Sequence, residues 1–190
     1  LGGPRIFIKR DDLTGLALGG NKTRLLEFYM ADALAQNAEV IVAGASVQSN
    51  LCRQTAAAAA RCGLSCVLLL REAEGAEVQG NLLLDHMFGA EVRPVQMTHL
   101  TGIWDLVHQA AAELRAQGRR AYAITTFDAL GGVSYVNATC ELDAQCEAMG
   151  IRPTWLVTSA AGGTQAGLVL GAKAIGASWR VLGVAPIVWH

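Results

Sequence analysis

Val40-Ile41-Val42-Ala43, then an alanine-rich stretch from Asn50 to Cys62, then Cys66-Val67-Leu68-Leu69-Leu70: this passage decides the fold. Two unbroken apolar runs of strand length flank a segment of helix length. Strands that are apolar throughout, without alternation, are buried on both faces of a sheet. The same alternation runs outward in both directions. A helix is expected from Leu25 to Gln36, another from Asn81 to Phe88, a strand from Glu91 to Val95, a helix from Ile103 to Gln117 and a strand from Ala121 to Thr125. A helix from Ser134 to Met149, a strand from Trp155 to Thr158, a helix from Thr164 to Ile175 and a strand from Val181 to Val184 complete the pattern. Gly63, Gly89, Gly118 and Gly150 each fall just past a helix, where a left-handed cap needs no side chain. The expected fold class is α/β with a parallel sheet covered on both faces.

Composition narrows the function classes. The 190 residues carry 15 basic and 16 acidic side chains, a net charge of −1, so no electrostatic footprint for nucleic acid or anionic lipid is present. Apolar residues make up 52% and charged residues 16%, which excludes a disordered chain. No apolar run has the length of a membrane helix, and a soluble, cytoplasmic protein is expected. Cys52, Cys62, Cys66, Cys140 and Cys146 are odd in number, with no C-x-x-C pair, and the four histidines are scattered; reduced thiols and no metal site are expected. The chain opens on Leu1-Gly2-Gly3-Pro4 before a strand-like Ile6-Phe7-Ile8 and stops six residues after a core-like strand, so a piece of a longer protein is expected.

Ligands of open parallel sheets bind at the carboxyl ends of the strands, where helix N-termini point free N–H groups. Three segments fall there. Ser159-Ala160-Ala161-Gly162-Gly163-Thr164 has the small residues that let amides close on a phosphate, although a plain strand-to-helix turn accounts for it equally simply. A dinucleotide fingerprint is excluded by the missing first glycine and by the absence of an acidic residue after the next strand. In Val47-Gln48-Ser49-Asn50, Ser49 or Asn50 serves as an N-cap, or the pair meets a substrate carboxylate or cofactor hydroxyl. Gly19-Gly20-Asn21-Lys22-Thr23-Arg24 sets a lysine at a helix start, where the macrodipole disfavours it. Such a lysine is an ordinary surface residue, unless it sits beside a phosphate site and captures an aldehyde cofactor. Together the three segments ask for pyridoxal phosphate.

Lys9-Arg10-Asp11-Asp12-Leu13-Thr14-Gly15, Gly19 to Arg24, Gln48-Ser49-Asn50, Gly80-Asn81-Leu82-Leu83-Leu84-Asp85 and Gly162-Gly163-Thr164-Gln165-Ala166-Gly167-Leu168 resemble, in order, the D-cysteine desulfhydrase and 1-aminocyclopropane-1-carboxylate deaminase family. The resemblance spans essentially the whole chain. It implies the tryptophan-synthase-β-like, fold-type II architecture, with a complete small domain at 25–133 and an incomplete large one at 1–24 plus 134–190. It implies that Lys22 is the Schiff-base lysine and the base at the α-carbon, with Ser49 as the second catalytic residue. It also implies that Asn50 bonds the pyridoxal ring hydroxyl, that Ser49, Asn50 and Leu51 face the substrate, and that Ala160, Ala161, Gly162, Gly163 and Thr164 form the phosphate cup. The implied activity is release of sulfide, pyruvate and ammonia from D-cysteine; deamination of 1-aminocyclopropane-1-carboxylate and a sulfonate-releasing lyase are the alternatives within the family. Family members are usually homodimers acting on small amino acids.

The sequence also departs from the family's pattern. Leu51 stands where a His or Gln is usual, leaving only a backbone amide for a carboxylate. Ala160-Ala161 replaces Gly-Ser in the cup, Thr125 to Leu130 is about two residues shorter than the family's segment, and the family's C-terminal third is absent. These features support a different class of reading, a truncated homologue that binds an anion or a partner without turnover.

Overall fold

The computed structural model describes residues 2–96, 102–126, 128–160 and 162–185. Helix α1 (Lys22–Ala35) leads into β1 (Val40–Ser46), α2 (Asn50–Arg61), β2 (Ser65–Arg71), α3 (Gly80–Met87), β3 (Glu91–Val95), α4 (Ile103–Ala116) and β4 (Ala121–Ala123). Helix α5 (Ala129–Ala148), β5 (Trp155–Ser159), α6 (Gly163–Ala174) and β6 (Arg180–Val184) follow. Every pairing is parallel, as the apolar runs require: β3-β2-β1-β4 form one sheet and β5-β6 a second.

The first sheet is covered on both faces, and the strand pleat divides its side chains between them. Ile41, Ala43, Leu68 and Leu70 pack with Leu26 and Tyr29 of α1 and Ala56 and Ala59 of α2. Val40, Val42, Val67 and Leu69 pack with Ile103, Val107 and Leu114 of α4 on the opposite face. Gly44 has no room for a side chain: a Cβ there would lie 2.9 Å from Ile103 Cγ1 and from the Leu69 carbonyl.

The second sheet is built differently. Leu156 and Val181 turn toward Tyr135, Ala138 and Leu168, while Trp155, Val157, Leu182 and Val184 on the other face stay about half exposed. Helices α5 and α6 approach closely because their contact is made of small residues. A Cβ at Gly167 would lie 2.6 Å from that of Tyr135, and one at Gly171 would lie 2.6 Å from Thr139.

Three elements differ from the sequence expectation. Helix α1 begins at Lys22 rather than Leu25, so the lysine lies in the first turn. Helix α5 begins five residues earlier than Ser134, because Asp128 caps it by accepting from the Gly131 N–H at 3.0 Å. Ile6-Phe7-Ile8 is exposed and joins no sheet among the described residues; apolar β-branched residues make a strand only where a neighbouring strand receives them. The segment after it is tethered by charge: Arg24 bonds Asp11 and Glu141 at 2.8 Å each, and Lys9 also reaches Glu141. These partners hold the Glu141 carboxyl down at about 2.

Candidate active site

Lys22 is the first residue of α1, after a turn that only glycine can make. Gly19 and Gly20 have φ of +78° and +131°, and a side chain on either would strike the Asp12 carbonyl or the Gln54 amide. The turn points the Gly19 carbonyl into α2, where Arg53 Nη2 donates to it at 2.7 Å and Gln54 Nε2 at 2.8 Å. Thr14 and Thr23 complete the hold: the Thr14 hydroxyl donates to the Gly20 carbonyl at 2.8 Å, and Thr23 donates to Gln54 Oε1 at 2.9 Å. Lys22 itself is half-buried and, among the described residues, pairs with no carboxylate. Burial lowers its ammonium below the ordinary lysine range, which favours the nucleophilic free amine.

The loop after β1 meets this turn from the other side. Ser49 is the N-cap of α2: its hydroxyl accepts from the Leu51 N–H at 3.1 Å and the Cys52 N–H at 3.3 Å. The Leu51 amide, expected to stay open for a carboxylate, is therefore turned to Ser49. Asn50 is exposed at the helix start, its Oδ1 accepting from Asn81 Nδ2 at 3.0 Å, which leaves the Asn50 amide nitrogen as a donor facing out. Asn81 ties the segment together by donating also to the Gln48 carbonyl at 2.7 Å and accepting from Arg53 Nη1 at 3.1 Å. Cys52, next in line, is fully buried, and its thiol is pushed up to about 12 by that burial, so it is an inert core residue.

The third segment opens α6. Gly162 has φ of +72° and, among the described residues, no side chain caps the helix, which leaves the first N–H groups of α6 for an anion. Ala160 is buried and its own N–H donates to the Val184 carbonyl at 3.0 Å, so its contribution to the turn is a small side chain. Ala161 lies outside the described residues. Tyr135 joins this segment to the lysine turn: its hydroxyl donates to the Asn21 carbonyl at 3.2 Å and contacts Thr164, while burial raises the phenol.

The structure thus gathers Lys22 and the opening of α6 around Tyr135, and ties the Lys22 turn to Asn50 through Arg53 and Asn81. Sequence reasoning missed Arg53, Asn81, Gln54, Thr23 and Tyr135 as members of the arrangement. Arg53 and Gln54 are polar residues buried on α2, which is the signal that marks them. A half-buried amine without an acid, an uncapped helix opening on glycine and an outward amide donor are what a phosphorylated aldehyde requires.

A family model described as pyridoxal-phosphate dependent enzyme matches residues 1–189. The chain belongs to that family. Among curated relatives it is 40% identical over 189 residues to a D-cysteine desulfhydrase of Klebsiella pneumoniae, covering 96% of this chain and 57% of that protein. It is 38% identical over 186 residues to a protein of Pyrococcus abyssi provisionally named a 1-aminocyclopropane-1-carboxylate deaminase, covering 96% and 56%. A crystal structure of an ACC deaminase homologue superposes with a TM-score of 0.83 at 36% identity, covering 92% of this chain and 54% of that one. The α/β, fold-type II expectation holds. The chain spans a little over half the length of the relatives it matches. Among the described residues no helix is long and apolar enough to cross a membrane, and no cluster of His, Cys, Asp and Glu is arranged to hold a metal.

Proposed function

We propose that this chain is the cofactor-holding part of a pyridoxal-phosphate-dependent lyase that eliminates sulfide from D-cysteine. The observation that carries the reading is the half-buried, unpaired Lys22 amine, tied through Tyr135 to the open N-terminus of α6. When bound, pyridoxal phosphate supplies an aldehyde that captures amines and a ring that draws electrons from the α-carbon of an amino acid.

The chain's residues fit that group. The N–H groups of Gly163 and Thr164, with the Thr164 hydroxyl, would hold the phosphate at the positive end of α6, and Gly162 and Ala160 would keep the approach clear. The Asn50 amide donates to the ring hydroxyl. Lys22 would hold the cofactor through its amine and would take the α-carbon proton of the substrate; burial, which lowers its ammonium pKa, suits both roles. Ser49, Asn50 and Leu51 border the substrate, where the Leu51 side chain gives an apolar wall. Overall, D-cysteine and water yield pyruvate, ammonia and hydrogen sulfide. In the same reading residues 25–133 form the small domain and 1–24 with 134–190 a part of the large one, in a cytoplasmic homodimer.

A second reading, deamination of 1-aminocyclopropane-1-carboxylate, is favoured by the superposition on the deaminase homologue. Sulfide release from D-cysteine, compared with 2-oxobutanoate release from the cyclopropane substrate, separates the two. Turnover of D-cysteine that disappears in Lys22→Ala is the expected result. Turnover of the cyclopropane substrate alone establishes the second reading. Cofactor binding without turnover of either, measured in the full-length protein, establishes an inactive homologue.

A further inference from the structure

Arg53 is a cation on a helix that otherwise packs alanines against a sheet, and it is only 9% exposed. Burying a guanidinium is unfavourable unless its donors are used. Here its two Nη groups are spent on two segments far apart in sequence, the Gly19 carbonyl at 2.7 Å and Asn81 Oδ1 at 3.1 Å, while Nε is buried without a partner among the described residues. Gly19 is three residues before Lys22, and Asn81 is the residue that holds Asn50 and Gln48. A single planar fork therefore spans the turn that delivers the lysine and the segment that delivers the outward amide donor. Asp85 on α3 lies in its field, fully buried, with neither oxygen hydrogen-bonded among the described residues. Gln54 backs the same Gly19 carbonyl, but an amide cannot reach both segments.

We propose that Arg53 is a positioning residue: its guanidinium fork fixes the start of α1, and with it the Lys22 amine, relative to Asn50. The functional importance of that placement rests on the reading of Lys22 given above; the placement itself does not. Lysine cannot replace arginine in this role, because an ammonium on a flexible stem does not present two parallel donors at fixed spacing.

Lys9, Lys22 and Lys173 are the only lysines of the chain, so each is resolved by peptide mapping. Competitive acetylation with acetic anhydride across pH reads the titration midpoint of each amine without any cofactor. In Arg53→Met and in Arg53→Lys the Lys22 midpoint is expected to rise by about one pH unit, a roughly tenfold loss of free amine near neutrality, with Lys9 and Lys173 unmoved. Val107→Ala, which loosens the opposite face of the sheet, should leave Lys22 in place and so separates positioning from general destabilisation. An unchanged midpoint in both Arg53 variants overturns the proposal. So does a rise in Arg53→Met alone, since it would show that Arg53 acts only through its charge. Reductive trapping of pyridoxal phosphate on the wild-type chain is run in parallel; failure to label Lys22 there removes the functional reading while the acetylation result still decides the positioning role.

Discussion

The two sheets of this molecule are built from similar apolar strands, yet they end in different states. β1 and β2 are enclosed by α1 and α2 on one face and α4 on the other, whereas β5 and β6 are covered on one face and leave Trp155, Val157, Leu182 and Val184 about half exposed on the other. The comparison teaches that the apolar pattern of a strand records the burial it needs, while the layers around it decide how much of that burial is reached. The candidate site lies where the halves meet: Lys22 and Asn50 stand on helices of the enclosed half, the opening of α6 on the open half, and Tyr135 of α5 joins them.

Hydrogen exchange gives the largest expected contrast. Amides of Ile41–Ala43 and Leu68–Leu70 should exchange on the order of a hundredfold more slowly than those of Leu156–Thr158 and Val181–Gly183; equal protection would break the comparison. Truncation makes the same test in energy. Leu68→Ala removes a fully buried side chain and should cost about 2–5 kcal/mol in denaturant unfolding. Leu182→Ala, at 48% exposure, should cost less than about 0.5 kcal/mol.

A pH effect should belong to the enclosed half. Burial raises the Asp85 carboxyl to about 7, outweighing the attraction of Arg53. Its folded-state pKa thus lies above the ordinary value of about 4 in the unfolded chain, so the folded state holds the proton more tightly. The resulting stability is present below about pH 4 and is lost as pH rises through 7. Asp85→Asn should flatten that slope in thermal unfolding measured from pH 4 to 8; an unchanged slope would place its origin elsewhere. A further, modest effect is expected at the seam between the halves, where Thr126, β-branched, has a φ of +65°. Thr126→Gly should stabilise the chain by about 1 kcal/mol through relief of that conformation.

Much of the enclosed half was legible because unbroken apolar runs and cap glycines are local signals; Gly63, Gly89, Gly118 and Gly150 all have positive φ. The two misplaced helix starts have a common cause. Hydrogen bonds from outside the helix set both: Tyr135 and Arg53 hold the backbone before Lys22, and Asp128 caps α5, where Tyr29 also bonds it at 2.7 Å. Ile6-Phe7-Ile8 shows the reverse, strong local preference without a partner. In the candidate site, the lysine, the Asn50 segment and the glycine turn were visible as motifs. Their linkage was not, since Arg53 reaches across 34 residues to Gly19 and Tyr135 across 114 to Asn21, and no local pattern encodes such distances.

The central claim is that Lys22 is the amine this fold sets aside for an aldehyde cofactor. Incubating the chain with pyridoxal phosphate, reducing with borohydride and mapping the label among Lys9, Lys22 and Lys173 tests it most directly. A visible absorbance band and label concentrated on Lys22 are expected, with both lost in Lys22→Ala. Label divided among the three lysines, or concentrated on Lys9 or Lys173, would contradict it.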